Sequence, residues 1–458
     1  MSNYSSRFRK ESEQKAFDPV HRKTIRFNMS KYDAAVEEGK KQYQNLPLAR
    51  QRAAFLKRKV IRDLENYLTT FESNFRKNGG KVIWASDAKD AIKQILDVLQ
   101  KSEVKKLVKS KSMISEEIEF NEALSKKNIE SIETDLGEYI VQVKGEKPYH
   151  IVTPAMHLSK EDIALLFHEK FNTDKDATPE QLTSFVREIL REKFTSAGAG
   201  VTGANFLLAD TGSVCITENE GNGMMSVSFP KIHIAIAGIE KIIPSIEDLD
   251  LFWPLLASHG TGQNITVYNS IISGPKKENE TDGPEEMIVV LLDNNRTKIL
   301  EKEQQYLSLT CIRCGACLNA CPVYRNIGGH TYNTPYSGPI GSVISPHMMG
   351  MKNYKHLSFA SSLCGKCTEV CPVNIPLHDF LLENRKDSVK EGHAKGMEKF
   401  GMRSATKALK SRKLMNYGGG MKNFAMKRFF KKSWGPRRDL PHVQKKTFNK
   451  IWKERNED

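Results

Sequence analysis

Apolar positions along the chain follow three successive patterns. Residues 1 to about 45 are polar and basic with scattered aromatics, which fits helix or partly ordered chain. From Leu48 onward, Leu56, Val60, Leu64, Leu68, Phe71 and Phe75 recur at three- and four-residue steps and predict one helix face, stopped by Asn78-Gly79-Gly80. Beyond it, short apolar runs alternate with helical segments: "KVIWA" at 81, "AIKQILDVL" at 91, "VKKLVKS" at 104, "EEIEFNEAL" at 116, "HIVTPAM" at 150, then helices near 159–169 and 179–194. "ANFLLAD", "GSVCITE", "HIAIAGI", "NITVYNSII" and "EMIVVLLD" continue as strands. Such alternation predicts βα units around a largely parallel sheet over residues 79–295.

Helical signal returns at 296–310 and leads into the first of two cysteine runs. The stretch between the runs, 325–360, holds "GGHTYNTPYSGPIGSVISP" and reads as loop; beyond 390 the chain is basic and punctuated by glycine. The expected organisation is a helical extension at 1–78, an α/β domain at 79–295, a cysteine-bearing domain at 296–390 and a basic region at 391–458.

Charge sharpens that division. From Arg385 to the end there are 22 lysines and arginines against 7 acidic residues, an excess equal to the net charge of +15 of the whole chain, so the rest is neutral. The basic start lacks the apolar core of a secretory signal, and no stretch approaches about 18 uninterrupted apolar residues, so a cytoplasmic protein is expected. In that setting seven of the eight cysteines, packed between Cys311 and Cys371, read as metal ligands rather than disulfides. Cys215 stands apart and is expected to be a small buried residue.

Cys311, Cys314, Cys317 and Cys321 form C-x2-C-x2-C-x3-C-P, the bacterial iron–sulfur run, in which the fourth thiolate crosses to the other cluster. Cys364, Cys367 and Cys371, followed by Pro372, match the last three positions of the same run, and Ser361 falls where its first cysteine would be. The crossed rule assigns Cys311, Cys314, Cys317 and Cys371 to one cluster and Cys321, Cys364 and Cys367 to a second that lacks one thiolate. Zinc sites pair C-x2-C groups instead, and the shared C-x3-C-P register argues against them. The missing corner has four candidate solutions: a hydroxyl or water ligand, His356, a three-iron cluster, or Ser361.

In the α/β region, "GANFLLADTGSVCITENEGNG" sets two strands around a turn at Asp210-Thr211-Gly212-Ser213 and ends in a loop of carboxylates, amides and glycines. Glu220 is the candidate base or nucleophile there, against the plainer reading of a solvated hairpin. No G-x-G-x-x-G follows an early strand and no G-x4-G-K-[ST] occurs, so nucleotide binding has no motif behind it.

Taken in order, "ADTGSVCITENEGN", "FPKIHIAIAGIEKIIPS", "CIRCGACLNACPVYRNIGGHTY", "SSLCGKCTEVCPVNIPL" and the tail "WGPRRDLP…FNKIW" resemble the lactate utilisation protein B family, iron–sulfur subunits of the bacterial L-lactate oxidation system. The resemblance spans nearly the whole chain. It implies a LUD domain, similar in fold to the NagB, ribose-5-phosphate isomerase and CoA-transferase group, joined to an α-helical dicluster ferredoxin-like module. It also implies two [4Fe-4S] clusters on the seven cysteines, a three-cysteine second run as the family pattern, and electron transfer during oxidation of L-lactate to pyruvate. Two companions are implied as well, a cysteine-rich CCG-domain protein and a smaller LUD-domain protein. The chain carries no flavin or haem signature, which favours a carrier over a catalyst; the competing reading makes the LUD domain catalytic through Glu220, with structural or sensory clusters. The basic tail favours docking to a partner, an electron acceptor or the anionic inner face of a membrane over nucleic-acid binding, with Met421, Phe424, Ala425 and Phe429 on one helix face beside Lys422, Lys427 and Lys432.

Overall fold

The computed structural model describes residues 3–394, 396–416, 419–431 and 439–456. Residues 1–388 form one compact unit and residues 389–458 a second.

The first unit holds ten strands: β1 (Lys81–Ala85), β2 (Lys106–Lys109), β3 (Glu130–Glu133), β4 (Ala199–Gly203), β5 (Phe206–Leu208), β6 (Ser213–Glu218), β7 (Ile232–Gly238), β8 (Ile242–Ile243), β9 (Tyr268–Ile272) and β10 (Glu286–Leu292). Six make a fully parallel sheet in the order β1-β10-β7-β4-β2-β3. Both faces are buried, and successive side chains serve opposite faces. On β10, Ile288, Val290 and Leu292 pack with Ile95 and Leu99 of the helix Ala88–Lys101, whereas Met287, Val289 and Leu291 face Phe71 and Phe75.

The stripe from Val60 to Phe75 is carried by two helices, Leu46–Arg62 and Leu64–Lys77, instead of one, because the backbone breaks at Asp63. Leu56 falls only at the margin of the core, and the buried face of the first helix instead runs through Ala53, Lys57 and Val60. Residues before it form the helices Asn3–Ala16 and Pro19–Gly39.

Three further differences from expectation have physical causes. β3 and β4 are too polar or too rich in glycine to stand out as apolar runs, yet both are strands. "HIVTPAM" forms turns rather than a regular element, with Pro154 in the middle of the run. The stretch expected to be loop between the cysteine runs contains the helices Gly338–Met349 and Met351–Phe359; Pro339 occupies the first turn, where no N–H is needed, and nearly every residue of the first helix is buried.

A second, smaller sheet has the order β8-β5-β6-β9, with β5 and β6 joined as the expected antiparallel hairpin. It divides its side chains between two cores. Leu207, Val214 and Ile216 join the α/β core, while Phe206, Leu208 and Cys215 join a core shared with Cys314, Cys317, Cys367 and Cys371. Cys215 is fully buried, as expected, and burial pushes its thiol up to about 12.

A buried ion network fastens the cysteine-bearing segment to the carboxyl ends of the parallel strands. Arg296, four residues past β10 and 1 % exposed, grips both oxygens of Glu117 at 2.8 and 2.9 Å and places Nε 2.5 Å from Glu240, just beyond β7. Arg313, between the first two cysteines, reaches the other Glu240 oxygen at 3.2 Å and lies 4.4 Å over the Tyr336 ring, whose hydroxyl donates to Glu117. Burial raises the Glu240 carboxyl, but Arg296 and Arg313 outweigh it and hold the group at about 2.

In the second unit, Gly419–Ala425 is helical and continues as a wider π-helical turn over Met426–Phe430. Met421 and Phe424 are exposed, and Lys422 donates to the carbonyls of Leu414 and Met415. Lys432 and the Phe429 side chain, named for the same face, lie outside the described residues.

Removing one member of a buried ion network leaves its partners uncompensated. Glu240→Gln is therefore expected to lower the unfolding free energy of the cluster-loaded protein by about 3–5 kcal/mol, read by anaerobic denaturant titration. A loss of under about 1 kcal/mol, typical of an exposed pair, would contradict the network's role.

Candidate iron–sulfur site

Each cysteine run is shaped by the same local backbone. Arg313 and Gly315 flank Cys314 with φ of 62° and 84°, and Leu363 and Gly365 flank Cys364 with φ of 55° and 78°. This left-handed conformation is natural for glycine but costs on the order of 1–3 kcal/mol for other residues, so it persists only where the surroundings demand it. After each glycine comes one short helix, Ala316–Ala320 or Lys366–Glu369, carrying Cys317 or Cys367. Cys321 follows its helix directly and Cys371 comes one residue further on, after Val370. The turn thus brings the first three positions of each run together and carries the fourth away.

Ser361 repeats the role of Cys311. The N–H of Arg313 donates to Cys311 Sγ at 3.4 Å, and the N–H of Leu363 donates to Ser361 Oγ at 3.1 Å. The other protein candidate for the missing corner, His356, has Nδ1 3.0 Å from the Asn353 carbonyl, and its ring packs 5.2 Å from Phe8.

The thiols fall into two sets. Cys311, Cys314, Cys317 and Cys371 line one cavity, otherwise walled mainly by apolar side chains such as Ile151, Ile340 and Val373. Burial pushes the Cys314 and Cys317 thiols upward, and repulsion from Cys311 and Cys371 adds to it. Cys371 is pushed up to about 11, by burial first and Cys311 after. In the second set, burial followed by repulsion from Cys321 and Cys364 pushes Cys367 up to about 12, and Cys321 is raised by burial and by Cys364. The first set is largely buried; in the second, Cys364 is exposed and Cys321 half-buried.

Gathered thiolates in a low-dielectric pocket repel one another and are stable only around a cation. Sulfur donors select iron–sulfur, zinc or cuprous centres, and the apolar cavity of four converging sulfurs fits a compact cluster. Protein cations add to the balance. Lys57, 1 % exposed, donates to the carbonyls of Glu240 and Ile242 at 2.6 and 3.1 Å; burial pushes its amine down to about 7, with Glu240 acting the other way and Cys311 within electrostatic reach. Half-buried Lys241 is likewise pushed down to about 8, chiefly by burial and by Arg313. Arg313 also feels Cys311, and its Nη1 is buried without a hydrogen-bond partner among the described residues. From the same helix as Lys57, Arg50 donates twice to the Cys371 carbonyl, at 3.0 and 2.7 Å. Sequence reasoning missed these cations; the signal for Lys57 was a lysine on the helix's apolar stripe.

Glu220 belongs to a separate cluster. Its carboxylate accepts from the Leu136 N–H at 3.0 Å, and crowding by protein followed by the Asp135 charge raises it to about 7. Lys111 Nζ lies 2.9 Å from Asp135. Glu218 of the same loop caps a helix, accepting from the N–H groups of Gly223 and Met224 at 2.7 and 2.8 Å. Among the described residues, no helix is long and apolar enough to cross a membrane.

Comparison with known proteins agrees with both parts of the chain. The LUD domain family matches residues 68–292, and the 4Fe-4S dicluster domain family matches 308–375. Lactate utilization protein B of Bacillus pumilus (strain SAFR-032) is 44% identical over 416 residues, covering 88% of this chain and 88% of its own. The protein of the same name from Bacillus subtilis (strain 168) is 43% identical over 406 residues, covering 86% and 85%. A solved DUF162 family protein from Deinococcus radiodurans aligns over 50% of this chain and 98% of its own at 13% identity, with a TM-score of 0.29. With an α/β LUD domain, a 4Fe-4S dicluster domain and relatives of this closeness along most of its length, the chain belongs to the lactate utilization protein B family.

Proposed function

We propose that this chain is the iron–sulfur electron-carrying subunit of a system that oxidises L-lactate to pyruvate. The observation that carries the reading is the division of seven cysteines into two mutually interacting sets. Cys311, Cys314, Cys317 and Cys371 hold one [4Fe-4S] cluster; Cys321, Cys364 and Cys367 hold the second, with Ser361 in register with its open corner. When bound, the clusters supply one-electron storage at potentials set by charge, hydrogen bonds and burial. Oxidation of lactate to pyruvate releases two electrons and two protons, so two one-electron centres match it.

The chain's own residues divide the work. Arg50 and Arg313 offset thiolate charge around the buried first set, Lys57 and Lys241 add to it when protonated, and the N–H groups of Arg313 and Ile375 donate to Cys311 and Cys371. Cys364, exposed, places the second set at the surface, where electrons pass to or from a partner. The companions are a cysteine-rich CCG-domain protein and a smaller LUD-domain protein, in the cytoplasm or against the inner face of the membrane.

A second reading rests on Glu220, Asp135 and Lys111, which gather near the carboxyl ends of β2 and β3, where parallel α/β sheets place their ligands. On that reading the LUD domain is itself catalytic and the clusters are structural or sensory.

The two readings separate in one experiment. The isolated, cluster-loaded chain is expected to be reduced by dithionite but not by L-lactate, and to be reduced by lactate once both companions are added. Reduction of the isolated chain by lactate alone would overturn the carrier reading, and turnover by the isolated chain would favour the second.

The ligand sets have their own test. Cys371→Ser is expected to disturb the paramagnetic signal of the cluster held by Cys311, Cys314 and Cys317 and to spare the other, while Cys321→Ser does the reverse. Loss of one and the same signal in both variants, read by electron paramagnetic resonance after reduction, would mean that the runs do not cross.

A further inference from the structure

We infer that Glu146, His157 and His330 form a binding site for a divalent transition-metal cation of the zinc class, away from the cysteines, that clips the α/β domain to the segment between the two cysteine runs. One donor atom from each residue lies within 4.8 Å of the others. Two of the donors follow the helix Leu136–Lys144, and the third lies nine residues past Cys321, so a shared cation would tie the two segments directly.

The imidazoles are prepared as ligands. His330 places Nε2 2.7 Å from the Lys147 carbonyl, so Nε2 donates and Nδ1 keeps a free lone pair. Metal-binding histidines are oriented in this way, by donating their other N–H to a carbonyl or carboxylate. His157 places Nε2 2.8 Å from Glu146 Oε2, while its Nδ1 is buried with no hydrogen-bond partner among the described residues. Its ring stacks 4.8 Å from Tyr149, and the His330 ring stands edge-on at 4.9 Å from it, so neither is free to turn away. The Tyr149 hydroxyl is itself held by His21 at 2.8 Å.

Two imidazoles and one carboxylate are the donor set of a three-ligand zinc site, which leaves one position for water. The opposing charges are Lys144, 2.8 Å from the other Glu146 oxygen, and Lys15, which acts on His330. Lys144 occupies Oε1, and Oε2 faces His157 Nε2, where the cation would take the place of the shared proton.

The test uses the full chain, purified anaerobically with its clusters and equilibrated with Zn²⁺ alone. The expected result is one retained zinc per chain with iron and inorganic sulfide unchanged, and a zinc-edge absorption spectrum giving nitrogen and oxygen neighbours at about 2.0–2.1 Å. His330→Ala and Glu146→Gln should each weaken uptake by more than the ~10–100-fold that loss of an outer-shell partner costs. Glu146→Gln alters a side chain one-third exposed, and it decides the matter if the histidine variant loads clusters poorly. Three results would overturn the proposal: no stoichiometric zinc retained, uptake unchanged by Glu146→Gln, or sulfur neighbours at about 2.3 Å with loss of iron, which would put the zinc on the cysteines.

Discussion

Four sulfur atoms converging on one buried cavity set the demand that the surrounding structure meets. Thiolates crowded in a low-dielectric interior repel one another, so the site needs cationic charge at its centre and around its wall. Sequence supplies the convergence by repetition. Two runs share a left-handed turn around Cys314 and Cys364 and a short helix bearing Cys317 and Cys367, so each fourth cysteine is carried away from its own run. Within this geometry Ser361 takes up the same backbone N–H as Cys311 does, so the second run keeps its shape without a fourth thiol.

The wall is built by parts of the chain distant in sequence. The helix Leu46–Arg62 sends Arg50 to the carbonyl of Cys371 and Lys57 to the carbonyls of Glu240 and Ile242. Glu240 stands between Arg296 and Arg313, and Arg296 also grips Glu117. Buried ion pairs of this kind seldom stabilise a fold more than a well-packed apolar contact would. Their effect here is positional: Glu117, Glu240 and Arg296 follow strands of the parallel sheet, so Arg313 and the first cysteine run are held at the sheet's carboxyl edge. The LUD domain and the iron–sulfur segment thus share one core, in which Phe206 and Cys215 of the small sheet belong with Cys314 and Cys371.

What the sequence revealed follows from how local each signal is. The cysteine spacing is chemically specific, and the alternating apolar runs of β7 and β10 are long enough to mark a doubly covered sheet. Short or glycine-rich strands such as β3, at the sheet edge beside β2, and β4, between β2 and β7, gain their identity only from the strands they pair with, so they left no trace. The helix Gly338–Met349 was hidden because glycine and proline argue for loop, whereas burial against the cysteine segment overrides that preference. Lys57 looked like an ordinary helix lysine, since its partners are carbonyls about 180 residues away. Glu220 was visible as a polar loop residue, but its neighbours Asp135 and Lys111 come from other strands and could not be read from spacing.

Two iron–sulfur clusters on the seven cysteines would fix the metal and sulfide content of the chain. Iron, zinc and acid-labile sulfide measured together on anaerobically purified protein test that assignment most directly. The expected content is about eight iron and about eight sulfide per chain, as two [4Fe-4S] units require, with Cys-bound zinc absent. Stoichiometric zinc on the cysteines without sulfide would contradict it.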